Sequence, residues 1–331
     1  MNITSKPKKI LIVRTDKIGD MVLTLPLARA IKQVMPDANV SIMARTYTAP
    51  LVKLCPDIDK VVEYDGSSFV HLIGQLRRVR ADVVILLSPK ARFAIASFLA
   101  GIPIRIGKGY RWYSVFTNKK IFEHRKNAER NEAAYNLRML KPLGIDAEEQ
   151  LLPILDKNKL PKNPINATKY IVLHTQTGGS APIWDADKWC KLGSVLNQKF
   201  HLPVILTGIR SEGEFLFILS ERMKQDGMDV HILPESDLLS LARVLSEASL
   251  VISGSTGPGH IAAALGAPTI GLFPLARALS KERWGFRGAN VENLSPLDPV
   301  KAECPMCKNC ECIAAITVDQ VMNAGERLIR P

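Results

Sequence analysis

The residues able to do chemistry fall into a few short segments of this 331-residue chain. Arg14-Thr-Asp-Lys-Ile-Gly-Asp20 directly follows an apolar, β-branched run. Gly19 permits a tight turn and close approach of a ligand, and Asp20 then projects a carboxylate from near a helix start. That carboxylate suits two jobs, a helix cap or a general base, and Asp16 is an equal candidate for the cap by residue type. A second segment, Ser253-Gly-Ser-Thr-Gly-Pro-Gly-His260-Ile-Ala-Ala-Ala-Leu-Gly266, reads as a strand end, a turn and a helix. Thr256 is placed to cap that helix, Pro258 fits its first turn and Gly266 its end. Uncapped amides and the positive dipole end suit a phosphate, which Ser255, Thr256 and Gly257 would approach. His260, one turn in, either donates to a phosphate oxygen or packs. The pattern is not G-x-G-x-x-G and lies far from the first strand–helix turn, which argues against a simple dinucleotide site.

Two further loops offer polar groups at strand ends. His174-Thr-Gln-Thr-Gly-Gly-Ser-Ala-Pro-Ile-Trp184 supplies hydroxyls, an amide and backbone N–H groups, the kit for holding phosphate. The next strand runs into Gly208, with Glu212 and Glu214 beyond it, carboxylates that fit either ribose hydroxyls or a helix start. Cys304, Cys307, Cys310 and Cys312 crowd four thiols into nine residues, a candidate zinc or iron–sulfur cluster whose tight spacing is poor for one tetrahedral zinc finger; reduced thiols are the alternative. From Arg105 to Arg130, eight cationic side chains face two acidic ones, half of the chain's net charge of +12. Such a run is a solvated face by default, and its separation from the glycine-rich loops suggests a second anionic ligand.

The elements that must position these residues follow from the apolar pattern. Lys9–Arg14, Asn39–Ala44, Lys60–Tyr64 and Asp82–Leu87 read as buried parallel strands, and Tyr170–His174, Pro203–Thr207, Asp229–Leu233, Leu250–Ser253 and Thr269–Phe273 repeat the rhythm. Helical patterns lie between them: Trp189, Leu192 and Leu196 opened by Asp185 or Asp187, and Leu238, Leu241, Ala242 and Leu245 opened by Ser236. A last helix begins at Thr317, with Gln320 completing a capping box. Strands alternating with helices give an α/β class with two Rossmann-like doubly wound domains and a cleft between them. The Pro-, Asn- and Lys-rich segment Lys157–Thr168 reads as the linker, so the domains are expected at 1–160 and 161–314.

Composition narrows the partners. With 47% apolar and 23% charged residues the chain is ordinary globular protein, and its excess of cations suits an acidic ligand. Aromatics at 6% are thin for stacking bases, so nucleic acid is not expected. Ser249–Ala276 carries no charge but is broken by glycines and prolines, and no export signal is seen; the expectation is a cytoplasmic protein with reduced thiols.

In order and spacing, Lys8-Lys-Ile-Leu-Ile-Val-Arg-Thr-Asp-Lys-Ile-Gly-Asp-Met-Val-Leu-Thr-Leu-Pro26 together with Ser253–Pro268 resembles the family-nine glycosyltransferases, the ADP-heptose:lipopolysaccharide heptosyltransferases. The resemblance implies a GT-B fold, a nucleotide-sugar donor on the second domain, an anionic glycolipid acceptor on the first, and a final helix, 315–331, packing back on the first. It implies inverting transfer with no required metal, at the inner face of the cytoplasmic membrane. It makes Asp20 the general base and Thr256-Gly-Pro-Gly-His260 the diphosphate turn. Gly19, Thr175, Gln176, Gly179, Ser180 and Gly208 would join Ser255, Thr256, Gly257 and His260 around the donor, with Glu212 or Glu214 on the ribose. Lys17, Arg105, Lys108 and Arg111 would meet the acidic acceptor. Two positions depart from the family pattern. Pro182 stands two residues before Trp184, where Lys or Arg is usual, and Ser255 stands where Asp is common. Another nucleotide sugar, or an epimerase on the same architecture, is the alternative reading.

Overall fold

The computed structural model describes residues 7–151, 153–179, 181–233, 236–297 and 311–329. It divides into two units: the chain up to Arg125 with Glu132–Gln150 and Ile154–Asp156, and Lys126–Asn131 with Leu151–Pro153 and the chain from Lys157 onward.

In the first unit, β1 (Lys9–Val13), α1 (Ile18–Val22), α2 (Pro26–Val34), β2 (Asn39–Arg45), α3 (Ala49–Val52), β3 (Lys60–Tyr64), α4 (Phe69–Val79), β4 (Val83–Leu86), α5 (Ala91–Leu99), β5 (Ile104–Lys108), β6 (Lys119–Ile121) and α6 (Glu132–Leu137) follow in order. The six strands are parallel and ordered β3-β2-β1-β4-β5-β6. β1 and β4 are buried along nearly their whole length because both faces of the sheet are covered. β5 and β6 are not among the strands expected from the sequence: Ile-Arg-Ile-Gly-Lys and Lys-Lys-Ile mix charge with apolar side chains because they approach the sheet edge, where one face stays wet.

The second unit repeats the plan with β7 (Ile171–His174), α7 (Ala186–Phe200), β8 (Val204–Thr207), α8 (Gly213–Gln225), β9 (Val230–Ile232), α9 (Leu238–Glu247), β10 (Leu250–Gly254), α10 (Gly257–Ala264), β11 (Thr269–Leu272), α11 (Lys281–Trp284), β12 (Val291–Leu294) and α12 (Val318–Leu328). Its parallel order is β12-β11-β10-β7-β8-β9, the same winding as the first sheet. In both, the order reverses between the first and fourth strands of the unit, β1 beside β4 and β7 beside β10, so the crossovers cover opposite faces and leave a crevice at the carboxyl ends of those pairs. This is the doubly wound, Rossmann-like α/β architecture expected from the sequence, present twice.

Asp185 caps α7 by accepting from Lys188 N, while α9 is capped by Asp237 rather than Ser236, because the Asp carboxylate reaches both Leu239 N and Ser240 N. Thr317 and Gln320 form the reciprocal capping box of α12. α12 packs within the second unit. Its apolar stripe of Val318, Val321 and Met322 joins the core under β11, β12 and α7, and burial there assigns the helix to the second unit. The Lys157–Thr168 segment is likewise held to the second unit, where Arg243 donates to the carbonyls of Lys157, Leu160 and Pro161.

Candidate functional site

At the switch point of the first sheet, the loop after β1 meets the loop after β4. Thr15 N donates to Ser88 Oγ at 2.8 Å, and Ser88 Oγ donates to Asp16 Oδ2 at 3.0 Å. Arg14, 4% exposed, directly follows β1 and turns its guanidinium into this junction, pairing with Asp16 at 3.1 Å and with Asp20. Lys90, after β4, stands 3.8 Å from Asp16. Neither acid caps α1: its N-cap is Lys17, without a side-chain bond, and Asp20 lies in the first turn with its carboxylate on Arg14. A carboxylate clamped by a buried guanidinium yet still reachable by solvent is placed to accept a proton from a ligand. Tyr47, donating to Asp16 O at 2.9 Å, has its hydroxyl pushed up by burial and by the charges of Asp20 and Asp16.

The sequence by itself gives no role to Arg14, Ser88, Lys90 or Tyr47. The signal available was the Ser-Pro-Lys that follows the fourth strand, which becomes meaningful only once β4 is known to lie beside β1.

The cations expected around an acceptor separate. Lys17 is exposed beside Asp20, and Arg111 is exposed before the 3₁₀ turn Trp112–Phe116. Lys108, half-buried at the end of β5, has its amine pushed down to about 7 by burial and by the charges of Arg125, Arg14 and Arg111. It neighbours a buried network in which Arg125 meets Glu132 and Asn136, and Asn136 Nδ2 donates to Leu23 O at 3.0 Å. Arg105 is different. It donates to the carbonyls of Ile102 and Phe116 and lies 5.3 Å over the Phe98 ring, so its guanidinium serves the fold rather than a ligand.

The second sheet repeats the arrangement with another chemistry. Strand register sets His174 opposite Ser253, so the loops after β7 and β10 leave the sheet side by side. They touch at Gly254, where an added Cβ would come within 3.0 Å of the Thr177 methyl. The first loop turns at Gly178 and Gly179, whose φ of 54° and 74° favour glycine. Glu212 holds that turn, accepting from Gly178 N at 3.2 Å and Ile209 N at 2.8 Å. Gly208 makes the tie possible, since a Cβ there would meet Glu212 Oε2 at 2.8 Å. Glu212 is therefore a brace between two loops, and Glu214 stands exposed in the first turn of α8.

Thr175 Oγ1 is buried at the end of β7 with no hydrogen-bond partner among the described residues. Gln176 beside it is half-buried; Ser180 lies outside the described residues. Across from them α10 begins at Gly257 with Thr256 as N-cap, and the Thr256 side chain makes no capping bond. The first-turn amides and the unsatisfied hydroxyl form a donor-rich, anion-seeking corner.

His260 takes the packing role rather than that of a phosphate donor. It is 4% exposed, sits edge-on to Phe286 at 4.8 Å, and burial pushes its imidazole down to about 3, leaving it neutral. His174, bonded to Thr207 Oγ1 at 2.9 Å, is pushed down to about 4 for the same reason. Cys304, Cys307 and Cys310 lie outside the described residues, and Cys312 accepts from Leu275 N at 3.4 Å. Among the described residues no group of three or more His, Cys, Asp or Glu side chains could hold a metal.

Comparison with known proteins agrees with this geometry. The lipopolysaccharide heptosyltransferase 3 of Escherichia coli K12 is 24% identical, with 94% of this chain and 95% of that protein aligned. A Haemophilus influenzae protein, whose name proposes a glycosyltransferase without specifying a sugar, is 26% identical over 84% of this chain and 85% of its own. Among solved structures, a glycosyl transferase family 9 protein of Veillonella parvula superposes with a TM-score of 0.79 at 18% identity over 97% of both chains. The ADP-heptose lps heptosyltransferase II of E. coli gives 0.77 at 18% identity, over 97% of this chain and 98% of that one. Residues 69–308 match the family model described as glycosyltransferase family 9 (heptosyltransferase), and with most of its length inside that match this chain belongs to that glycosyltransferase family.

Proposed function

We propose that the protein transfers heptose from ADP-heptose to the core of lipopolysaccharide or a related glycan, with inversion and without a required metal. Asp20 is the general base. It takes the proton of an acceptor hydroxyl as that oxygen attacks the anomeric carbon from the side opposite the diphosphate. The buried guanidinium of Arg14 fixes the carboxylate's direction, and Lys17, Lys108 and Arg111 are the cations left for an acidic acceptor. On the second unit the first-turn amides of α10, with Ser255, Thr256, Gly257 and the hydroxyl of Thr175, hold the diphosphate and meet the charge that grows on the leaving group. Gln176 and Gly179 complete that loop, Gly19 allows close approach beside the base, and Glu214 takes the ribose. The described residues contain no helix long and apolar enough to cross a membrane, and the proposed place of action is the inner face of the cytoplasmic membrane, reached as a peripheral protein.

The observation that carries this reading is the Asp20 carboxylate, bound by Arg14 and used by no helix cap. Its test is a donor panel with an isolated lipopolysaccharide-core acceptor, scored by release of ADP, UDP or GDP with a chelator present. Acceptor-dependent ADP release from ADP-heptose, unaffected by the chelator, is expected. Strict use of a UDP- or GDP-sugar would overturn the choice of donor, and turnover of donor without acceptor would make the protein an epimerase.

A further inference from the structure

The turn between β5 and β6 holds apolar side chains out in solvent. Trp112 is 72% exposed and Val115 71%, whereas Trp184 and Trp189 are each 1% exposed. Both belong to the 3₁₀ turn Trp112–Phe116, in which side chains three apart eclipse, so the two form one ridge. Tyr110 and Phe122, both more than half exposed, pack edge-to-face at 5.2 Å, and Phe98 meets Phe116 at 5.6 Å where α5 packs on the turn. The backbone beneath is fixed, with Thr117 Oγ1 donating to Ser114 O at 2.8 Å and Arg105 Nε donating to Phe116 O at 2.7 Å. The ridge is therefore held outward by its own scaffold.

Its charge is of one sign. From Arg105 to Phe122 the sequence contains no Asp or Glu, while Arg111 and Lys120 are exposed and Lys119 is half-exposed. We infer that this aromatic and basic ridge is the surface by which the protein seats itself in the headgroup layer of an anionic lipid bilayer. Trp and Tyr, apolar with one polar atom, partition to that depth, and flanking Lys and Arg are drawn to anionic headgroups. A second copy of the chain is a poor occupant, because a two-fold contact through the ridge would bring Arg111, Lys119 and Lys120 against themselves. The inference deepens the glycolipid-acceptor reading and rests on it for one point, that a bilayer is where the acceptor lies.

The test is sedimentation of the full chain with vesicles of phosphatidylcholine alone and with vesicles that include phosphatidylglycerol, with neither donor nor acceptor present. The protein should bind only the second kind, with the Trp112 fluorescence shifting to the blue. Trp112→Ala/Val115→Ala should weaken that binding by at least about tenfold, in step with the apolar area withdrawn. Lys119→Glu/Lys120→Glu should weaken it at least about fivefold and reduce its sensitivity to salt. Both variants should keep transfer to a lipid-free acceptor fragment within about twofold, as changes away from the donor and base should. Equal binding to neutral vesicles, unchanged binding by both variants, or a dimer that the first variant dissociates would overturn the inference. Absence of transfer by the unaltered protein, with vesicle binding intact, would instead count against the proposed activity.

Discussion

Gly259→Ala is a change whose sign the structure decides. Gly259 lies in the first turn of α10, where alanine in open space would stabilise a helix by about 1 kcal/mol. Here a Cβ would stand 2.1 Å from Phe286 Cζ, short by about 1.5 Å of a normal carbon–carbon contact. The ring cannot step aside easily. It is 1% exposed, with the His260 ring at 4.8 Å and the Phe273 ring at 5.1 Å, and it already fills the space that Gly271 leaves on the other side. Overpacking of this kind costs about 3 kcal/mol, so the net loss should be about 2 kcal/mol, a fall in Tm of about 4–8 °C. The start of α10 must shift as well, so ADP affinity should drop with stability. Gly74→Ala in α4, where nothing lies within 4 Å of the added carbon, should raise Tm slightly and serves as the control. Thermal unfolding and ADP titration of both, with Phe286→Leu and the Gly259→Ala/Phe286→Leu pair, complete the experiment. The pair should be more stable than the sum of its single changes by about 1 kcal/mol. A Gly259→Ala protein as stable as the parent, or a strictly additive pair, would refute the slot.

Other outcomes follow from the same geometry. His174 and His260 are neutral in the fold, pushed down from 6.5 to about 4 and about 3. The unfolded chain binds protons there that the folded chain does not, so their contribution is whole above pH 6.5 and is lost as pH falls toward those values. His174 alone accounts for about 3 kcal/mol at the acid end. Tm should fall steeply below pH 6, less so in a His260→Met variant, and parallel curves would contradict this. Thr175→Val should leave Tm unchanged or slightly higher, since the hydroxyl has no partner among the described residues, yet weaken ADP binding about tenfold by calorimetry. Lys108, with its amine at about 7, is charged below that pH and neutral above it. The KM for an anionic acceptor should therefore rise as pH passes from 6 to 8, and a Lys108→Met variant should show a high KM that is flat with pH.

The sequence was most informative where both faces of an element are buried. Ile10–Val13 and Leu250–Ser253 are apolar at nearly every position because helices cover them, and each could be read as a strand without further context. Ile104–Lys108, Lys119–Ile121 and Val291–Leu294 could not, since part-exposed strands at a sheet edge or next to it carry the charge and polarity of a loop. The turn at Ser255–Gly257 was legible because strand, turn and helix are consecutive. Roles set by distant partners were not. Asp20 looks equally like a cap until Arg14 is found on its carboxylate, and Glu212 looks like a ribose ligand until Gly178 N and Ile209 N are found on its two oxygens. The Phe286 slot joins residues from α10, β11 and a later loop, and no local pattern announces it. For α12 the apolar stripe was evident, but a stripe does not say which core it will enter.

The proposed chemistry stands or falls on Asp20. Steady-state transfer from ADP-heptose to a lipopolysaccharide-core acceptor by Asp20→Asn, measured beside ADP binding by the same protein, tests it most directly. A general base at this position predicts a fall in kcat of at least about a hundredfold, with ADP affinity kept within about twofold, as expected when a proton acceptor is lost and the diphosphate corner is not. A variant that still turns over near the parent rate, or one whose lost activity is matched by lost ADP binding, would contradict it.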